Sequence, residues 1–220
     1  MNHIYFFLVG SIFASFLGLV IDRFPEQSVV TPSSHCDSCQ TKLAPQDLVP
    51  ILSQIANGFR CRFCKTRFSV WYAGFELVLG LLFLAGSLQV LSPAQVLLLT
   101  VGLTLAIYDI RHQEYPLLVW LVFHLFITFL AGWNPLMLIF LLLGLLAHFI
   151  PVGIGAGDFL FLASCAALFN LTEILILLQV ASVTGILIFV LQKKKGRLAF
   201  VPCLLLGLAF LTFGKLLLLG

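Results

Sequence analysis

The sequence predicts an all-α polytopic membrane protein with about eight transmembrane helices and a small zinc-ribbon-like loop domain in the cytoplasm. Hydrophobic residues make up 61% of the chain and charged residues only 10%, whereas soluble proteins average about 25% charged residues. The apolar residues form runs of the length that a helix needs to cross a bilayer, and a β-barrel would instead show shorter alternating segments. One polar segment, residues 22–70, interrupts these runs and carries two pairs of cysteines.

Eight apolar runs are predicted to be the membrane spans. The first lacks a preceding basic segment and a cleavage site before Asp22 and Arg23, so it is predicted to be a retained helix and not a secretory signal. The predicted spans cover residues 4–21, 71–90, 93–108, 115–131, 136–150, 159–170, 172–191 and 198–219.

The basic residues predict the orientation of these spans. Cytoplasmic loops of membrane proteins carry an excess of lysine and arginine, and here alternate loops hold every basic residue except Lys215. Those loops are therefore predicted to be cytoplasmic, with both termini outside the cell's inner membrane. Nothing in the sequence indicates a nucleic-acid partner. The basic residues of the predicted cytoplasmic loops are Arg23, Lys42, Arg60, Arg62, Lys65, Arg67, Arg111, Lys193, Lys194, Lys195 and Arg197.

Two C-x-x-C pairs in the polar segment predict a metal site. Cys36 and Cys39 form the first pair, and Cys61 and Cys64 form the second. This spacing is typical of zinc ribbons, in which each pair presents two thiolates to one tetrahedral ion. Four cysteine ligands leave no open position, so we expect a structural zinc and no catalytic metal. Two disulfides are the alternative, which the reducing cytoplasm disfavours.

Acidic residues within or beside membrane spans are costly and suggest a functional site. In the predicted topology Asp109, at the end of the third span, and Asp158, at the start of the sixth, reach the same face of the membrane. Two carboxyl groups in a partly desolvated site share one proton, as aspartic peptidases require. Gly155 and Gly157 permit close backbone approach beside Asp158. Each aspartate alone is equally compatible with a helix cap or an interfacial anchor, but the pair predicts an intramembrane aspartic peptidase.

The helix dipole suggests different roles for the two aspartates. Asp158 begins a helix, where the dipole favours the ionised form, so it is predicted to be the base. Asp109 ends a helix, where the dipole disfavours negative charge, so it is predicted to donate the proton. Because the pair titrates jointly, this assignment concerns the dominant form of each group.

Together these segments resemble the type IV prepilin peptidase family over most of the chain. The paired cysteines resemble the family's cytoplasmic domain, and residues 14–25 resemble its opening stretch. The composition predicts three domains: 1–21 for the first helix, 22–70 for the four-cysteine domain and 71–220 for a transmembrane aspartic peptidase domain. By resemblance, the catalytic residues are Asp109 and Asp158, and the supporting residues are Glu76, Tyr108, Gly155 and Gly157. Arg111 is added as a supporting residue because it lies two positions beyond Asp109.

The resemblance also implies a substrate, a reaction and a cofactor. Members of the family remove a short basic leader from prepilin or pseudopilin precursors at the cytoplasmic face of the lipid bilayer. Many also methylate the new N-terminus with S-adenosylmethionine. Such precursors belong to pilus, type II secretion or competence systems. Charge complementarity suggests that Glu76, Asp22 or Glu114 receives the basic leader.

The sequence departs from the family pattern at one position. Family members commonly carry a lysine two positions after the second aspartate, where this chain has Leu160. Loss of that positive charge would make Asp158 less acidic, and Arg111 is a candidate to compensate for it. Alternatively, the lysine serves a function that this chain lacks, such as methylation.

Three other functions remain open from the sequence. A different intramembrane aspartic protease with the same Gly-x-Gly-Asp motif would cut inside a helix, not at the membrane edge. An ion-coupled transporter would use Asp109 and Asp158 to bind an ion, without proteolysis. A noncatalytic assembly protein would use the cysteine domain for docking, and changing both aspartates to asparagine would leave its function intact.

Overall fold

The computed structural model describes residues 2–36, 38–150, 155–192 and 198–219. Within those residues the chain forms nine α-helices and one short 3-10 helix, Pro45–Leu48. No strand occurs in the described ranges, where only two isolated β-bridges are present. The helices are α1 (Asn2–Arg23), α2 (Leu52–Ala56), α3 (Trp71–Ser87), α4 (Pro93–His112), α5 (Leu117–Ala131), α6 (Pro135–Phe149), α7 (Ala156–Ala166), α8 (Leu171–Gln192) and α9 (Val201–Leu219).

The predicted all-α fold class is confirmed. Eight of the helices coincide with the eight predicted spans, and α2 lies in the polar segment. By length and composition, three helices of the described chain suit a membrane crossing: His3–Arg23, Pro93–His112 and Leu171–Leu191. The other five apolar helices are shorter, and many of their large side chains are exposed, including 86% of Phe129. Exposed apolar surface of this extent fits lipid, so the chain is a membrane protein.

Two helix boundaries differ from the predicted spans in a way that matters for the aspartates. Helix α4 continues to His112, so Asp109 lies inside its last turn. It ends because Gln113 adopts a left-handed conformation and donates its N–H to the Asp109 carbonyl. Helix α7 begins at Ala156, so Asp158 lies inside its first turn.

The helices pack into two compact units, Met1–Leu91 and Ser92–Gly220. In the first unit α1 packs along α3. The two backbones approach closely because glycine has no side chain. A Cβ at Gly10 would lie 2.8 Å from Phe83, and a Cβ at Gly80 would overlap the Ser11 hydroxyl. Small residues serve this purpose between membrane helices in general. The predicted domains 1–21, 22–70 and 71–220 follow composition and not packing, and they stay a prediction.

In the second unit α6 packs along α7, α8 along α9, and α4 against both α5 and α9. Polar side chains join these apolar helices at a few points. Ser164 of α7 accepts a hydrogen bond from the Trp120 indole at 3.0 Å and lies 2.9 Å from His124 Nδ1. Asn134 caps α6 and also donates to the Ala166 carbonyl at the end of α7. These bonds fix α5 and α6 against α7, the helix that carries Asp158.

Candidate active site and metal centre

Asp109 and Asp158 line one cavity of about 920 Å³ in the second unit. Gly155 and Gly157 contribute to the same wall. The structure therefore brings together two acidic residues that lie on different helices and far apart in the sequence, in a space large enough for a peptide segment.

The Asp109 carboxyl is held by the start of the last helix. Its Oδ2 accepts a hydrogen bond from the Val201 N–H at 3.0 Å, and Val201 is the first residue of α9. The first N–H groups of a helix have no partner within the helix, so they are available to a carboxylate. This contact orients the Asp109 carboxyl group.

The Asp158 carboxyl lies at the start of α7. Its own N–H donates to the Gly155 carbonyl at 3.1 Å, and its Oδ2 lies so near Gly155 that a Cβ there would be 3.4 Å away. Both aspartates thus lie at helix N-termini, Asp158 on α7 and Asp109 beside α9. The dipole argument no longer distinguishes the two, and the assignment of base and proton donor stays a prediction.

Gly157 provides the surface on which the Tyr115 ring lies. A Cβ at Gly157 would be 2.6 Å from the Tyr115 Cγ, closer than any real side-chain contact. Tyr115 belongs to the connection between α4 and α5 and lines the cavity. Its hydroxyl oxygen is buried and has no hydrogen-bond partner in the described part of the chain.

The charge of the cavity wall is negative. Asp109, Glu114 and Asp158 line it, and no lysine, arginine or histidine does so among the residues that the structure describes. The Glu114 side chain is exposed. The predicted basic run at residues 193–197 lies outside the described residues. A cavity of this charge attracts cationic groups.

The remaining residues predicted for the second unit do not line the cavity in the described structure. Tyr108 is 2% exposed, and its ring lies 5.8 Å from that of His112. Arg111 is exposed and does not line the cavity in the described structure. Leu160 packs near Gly144 of α6, where a Cβ would meet it at 3.1 Å. Leu160, where the resemblance leads us to expect lysine, therefore contacts a neighbouring helix.

Glu76 binds the polar segment of the first unit through hydrogen bonds. The side chain is buried, and its Oε2 accepts hydrogen bonds from the Ile51 N–H at 2.8 Å and from Gln54 Nε2 at 3.0 Å. Ile51 has a φ of 60°, which is strained for a β-branched residue. Glu76 thus holds the start of α2 in an unfavourable conformation. Asp22 is also engaged, since its carboxylate accepts a hydrogen bond from the Tyr72 hydroxyl.

The four cysteines of the polar segment form a cluster that fits a tetrahedral metal. Their sulfur atoms all lie within 4.8 Å of one another. Cys36 and Cys64 are 3.7 Å apart, and Cys39 and Cys61 are 4.0 Å apart. A zinc ion with Zn–S bonds of about 2.3 Å requires sulfur separations of about 3.8 Å. All six cysteines of the chain are described and none forms a disulfide.

Each C-x-x-C pair is presented by the same turn. The Cys36 N–H donates to Thr41, and the Cys61 N–H donates to Thr66 in the equivalent bond. The matching bridges are His35 with Lys42 and Arg60 with Arg67. In the second turn the Thr66 hydroxyl, followed by the Thr66 amide, lowers the pKa of the Cys64 thiol to about 6. The turn therefore favours the thiolate that a metal needs.

Sequence reasoning missed two contributors to the cavity. Val201 acts through its backbone N–H, so its residue type does not indicate this role. Tyr115 lies in a short polar connection and has no motif around it, although a tyrosine beside a proline between two apolar spans is a signal that could have been noted. Both contacts depend on how α4, α7 and α9 converge.

Comparison with known proteins identifies relatives of this chain. Residues 8–90 match the family model described as the bacterial peptidase A24 N-terminal domain. A prepilin leader peptidase/N-methyltransferase of Myxococcus xanthus is 40% identical over 52% of this chain, which spans 36% of that relative's length. A prepilin leader peptidase/N-methyltransferase of Dickeya chrysanthemi is 30% identical over 91% of this chain and 86% of its own length. The chain belongs to the prepilin leader peptidase family.

Membership of the prepilin leader peptidase family confirms the resemblance found in the sequence. Another member, from Escherichia coli, is named type 4 prepilin-like proteins leader peptide-processing enzyme; it is 29% identical over 90% of this chain and 88% of its own length. No solved structure matches the chain. The geometry of this chain therefore carries the assignment of its site residues.

Proposed function

We propose that this protein is a membrane-embedded aspartic endopeptidase that removes the leader from prepilin or pseudopilin precursors, with Asp109 and Asp158 as its catalytic pair. The observation that carries the proposal is the convergence of both carboxyl groups on one cavity. Family membership supports it, because the relatives are named for processing prepilin leaders.

The pair begins the reaction with one proton between its two carboxyl groups. The ionised carboxylate takes a proton from water as the water oxygen attacks the carbonyl carbon of the scissile peptide. The protonated carboxyl gives its proton to the carbonyl oxygen, which yields a tetrahedral gem-diol. The proton has then moved from one carboxyl to the other.

The second step restores the pair. The newly protonated carboxyl gives its proton to the amide nitrogen as the C–N bond breaks. One hydroxyl of the gem-diol returns its proton to the other carboxyl and becomes the carbonyl of the leader's new C-terminus. The Val201 N–H and the helix start at Gly155 keep the two carboxyl groups in place while their charges exchange.

Glu114 is the acidic residue best placed to receive a basic leader. It lines the cavity with an exposed side chain. Glu76 and Asp22, the other candidates from the sequence, bind Ile51 and Tyr72 within the first unit. Charge complementarity between Glu114 and a lysine or arginine would place the leader beside the aspartate pair.

The proposal includes N-methylation as a second activity, because relatives are named prepilin leader peptidase/N-methyltransferase. The lining of the cavity is chemically suited to S-adenosylmethionine. The rings of Phe140, Phe159 and Phe200 are available for stacking, and the Glu114 carboxylate is available to pair with the positive sulfonium. When bound, that cofactor supplies a methyl group to the new N-terminal amine. Leu160 does not line this cavity in the described structure.

The four-cysteine cluster is proposed to hold a structural zinc ion. Cys36, Cys39, Cys61 and Cys64 fill all four tetrahedral positions. The metal would stabilise residues 22–70 and take no part in peptide cleavage. With the predicted orientation, this segment lies on the cytoplasmic face of the inner membrane and the two aspartates lie at the same face.

The test mixes the purified protein with a prepilin in detergent and follows leader removal by mass spectrometry. Asp109→Asn and Asp158→Asn are each expected to lower the cleavage rate by about 10²–10⁴-fold, because each removes a proton-transfer group. Glu173→Gln is the matched control, since Glu173 pairs with Lys215 and does not line the cavity in the described chain. Addition of S-adenosylmethionine is expected to add the mass of one methyl group to the product.

Two results would refute the proposal. One is wild-type protein that leaves every prepilin tested intact while retaining its fold. The other is normal cleavage by both asparagine variants, which would assign the aspartates to another role. A cut inside the apolar helix, instead of after the leader, would favour a different intramembrane aspartic protease.

A further inference from the structure

Helix α2 has the opposite polarity from a surface helix in water. Its large apolar side chains are exposed, 63% for Leu52 and 60% for Ile55, and they share one face because they are three positions apart. The other face is polar: Ser53 is buried, and Gln54 donates to Glu76 of α3 at 3.0 Å. A helix on a soluble domain turns its apolar face inward and its polar face outward. The apolar face of α2 therefore calls for an apolar partner.

The residues before α2 extend this apolar face. Leu48 and Val49 are both exposed, and the Val49 carbonyl accepts a hydrogen bond from the Ser53 N–H at 3.1 Å, which joins it to the first turn of α2. Exposed apolar clusters mark sites that bind another protein or a membrane. This cluster, the α2 patch, consists of Leu48, Val49, Leu52 and Ile55.

The depth of the α2 patch favours a membrane over a protein partner. Helix α3 coincides with a predicted span and begins with Trp71 and Tyr72, residue types that are enriched where a membrane helix meets water. Glu76 lies five positions further on, about 7 Å deeper along the helix axis. Its Oε2 accepts a hydrogen bond from the Ile51 N–H at 2.8 Å, so the start of α2 is held at that level. The α2 patch is therefore level with the lipid headgroups that surround α3.

The charge beside the α2 patch also favours lipid. The second cysteine turn follows α2, and the Phe59 N–H joins the two by donating to the Gln54 carbonyl at 2.7 Å. Arg60, Lys65 and Arg67 of this turn are exposed. Basic side chains beside a bilayer are attracted to its anionic phospholipids.

We propose that the α2 patch inserts into the headgroup region of an anionic phospholipid bilayer and holds the four-cysteine segment against the membrane surface. The polar face of α2 stays on the protein, since Gln54 remains bonded to Glu76. Glu76 also satisfies the Ile51 N–H, as a backbone polar group at membrane depth requires. The inference concerns only the first unit and is independent of the proposed peptidase activity.

Photo-cross-linking tests where these side chains lie. The photoreactive residue p-benzoylphenylalanine replaces Leu52 or Ile55 in the whole chain, which is reconstituted in vesicles of phosphatidylethanolamine and phosphatidylglycerol. After irradiation, mass spectrometry of the intact protein is expected to show the added mass of one phospholipid. Phe129, exposed on apolar helix α5, is the positive control. Ser38, exposed in the polar first cysteine turn, is the negative control.

Hydrogen exchange in the same vesicles tests the patch without a probe. If the patch faced water, the double variant Leu52→Gln/Ile55→Gln would exchange like the wild type across residues 51–57, because substitutions at exposed sites have little effect on stability. We expect these amides to exchange about 10-fold faster in the variant, since the apolar contact with lipid is lost. Val30→Gln, at an exposed apolar position outside the patch, is expected to exchange like the wild type.

Three results would overturn the inference. The first is the absence of a lipid adduct at both Leu52 and Ile55 in an experiment where Phe129 reacts. The second is wild-type exchange in the double variant. The third is cross-linking of both positions to protein, whether to a second copy, to another part of the chain or to added prepilin, which would assign the α2 patch to a protein partner. None of these results bears on the aspartate pair, so this inference and the proposed function fail separately.

Discussion

Gly157 shows how a missing side chain positions the candidate active site. A methyl group at this position would overlap the Tyr115 side chain from its Cβ to its ring, so either Tyr115 or the first turn of α7, which carries Asp158, must shift. We expect Gly157→Ala to lower the stability by about 1–3 kcal/mol, as overpacking generally does, and to lower prepilin cleavage strongly. Thermal unfolding in detergent and the mass-spectrometric assay measure the two effects.

Gly214→Ala is the control for that substitution. Gly214 lies in α9 of the same unit, and a Cβ there would meet no atom within 4 Å. Alanine favours a helix interior over glycine by about 0.5–1 kcal/mol, so the stability is expected to stay equal or to rise. Equal losses in both variants would show that glycine is needed for helix flexibility and not for contact with Tyr115.

At the residue scale, the sequence predicts charged groups better than their partners. Asp109 and Asp158 stand out because carboxyl groups within apolar segments are rare and costly. Their surroundings could not be predicted in the same way. Val201 contributes a backbone donor, which any residue type except proline could supply. Glu76 has the same acidic side chain as the candidates for leader binding, but its hydrogen bonds with Ile51 and Gln54 assign it to the fold.

At the scale of elements, Glu76 is expected to keep α2 in place. Glu76→Gln replaces a charged acceptor that serves the Ile51 N–H and the Gln54 amide. The expected cost is about 1–3 kcal/mol, because the neutral amide oxygen of glutamine accepts these two hydrogen bonds more weakly than a carboxylate does, and it should appear as faster hydrogen exchange across residues 51–57. Glu26→Gln, at an exposed position, is expected to leave exchange unchanged. Unaltered hydrogen exchange of residues 51–57 in Glu76→Gln would contradict the proposed role of Glu76 in holding α2.

The two cysteine turns are expected to depend on metal. After zinc is removed with a chelator, the Cys36 and Cys61 amides should exchange faster, since the turns that hold their bonds to Thr41 and Thr66 lose the common ion. Amides of α4 provide the internal control. Prepilin cleavage should persist in the chelated enzyme to the extent that residues 22–70 remain folded. Unchanged exchange in protein shown by elemental analysis to be metal-free would contradict the structural role.

Helices were easier to predict than their ends. Long apolar runs identify the spans because a bilayer crossing needs a fixed length of helix. The ends depend on local chemistry that hydrophobicity does not report. Helix α4 starts at a capping box between Ser92 and Gln95 and ends where Gln113 turns left-handed, one turn beyond the predicted boundary. That additional turn places Asp109 inside the helix.

At the scale of the whole molecule, the predicted orientation requires a direct test. Reporter fusions after Phe68 and Gln113 are expected to be active as cytoplasmic reporters, and a fusion after Gly132 as an external one. The reason is the excess of basic residues in alternate loops. Each position receives both kinds of reporter, so that each fusion controls the other. External activity at residues 68 and 113 would reverse the orientation and separate the aspartates from the cytoplasm.

The grouping of helices could not be predicted from the sequence. Almost every helix is apolar on all sides, so no periodic face indicates which neighbour it packs against. The structure pairs α1 with α3 through Gly10 and Gly80, although glycine also occurs in helices where it contacts little. Only the atomic contacts separate Met1–Leu91 from Ser92–Gly220.

The hydrogen bond from Val201 to Asp109 has a consequence for biosynthesis. Asp109 and Asp158 both precede α9 in the chain, so a nascent chain carries the proposed catalytic pair before it carries the amide that orients Asp109. The peptidase would therefore remain latent on the ribosome and during the early steps of insertion. Insertion of α9 would then complete the active site. Incompletely inserted chains would not cut neighbouring membrane proteins.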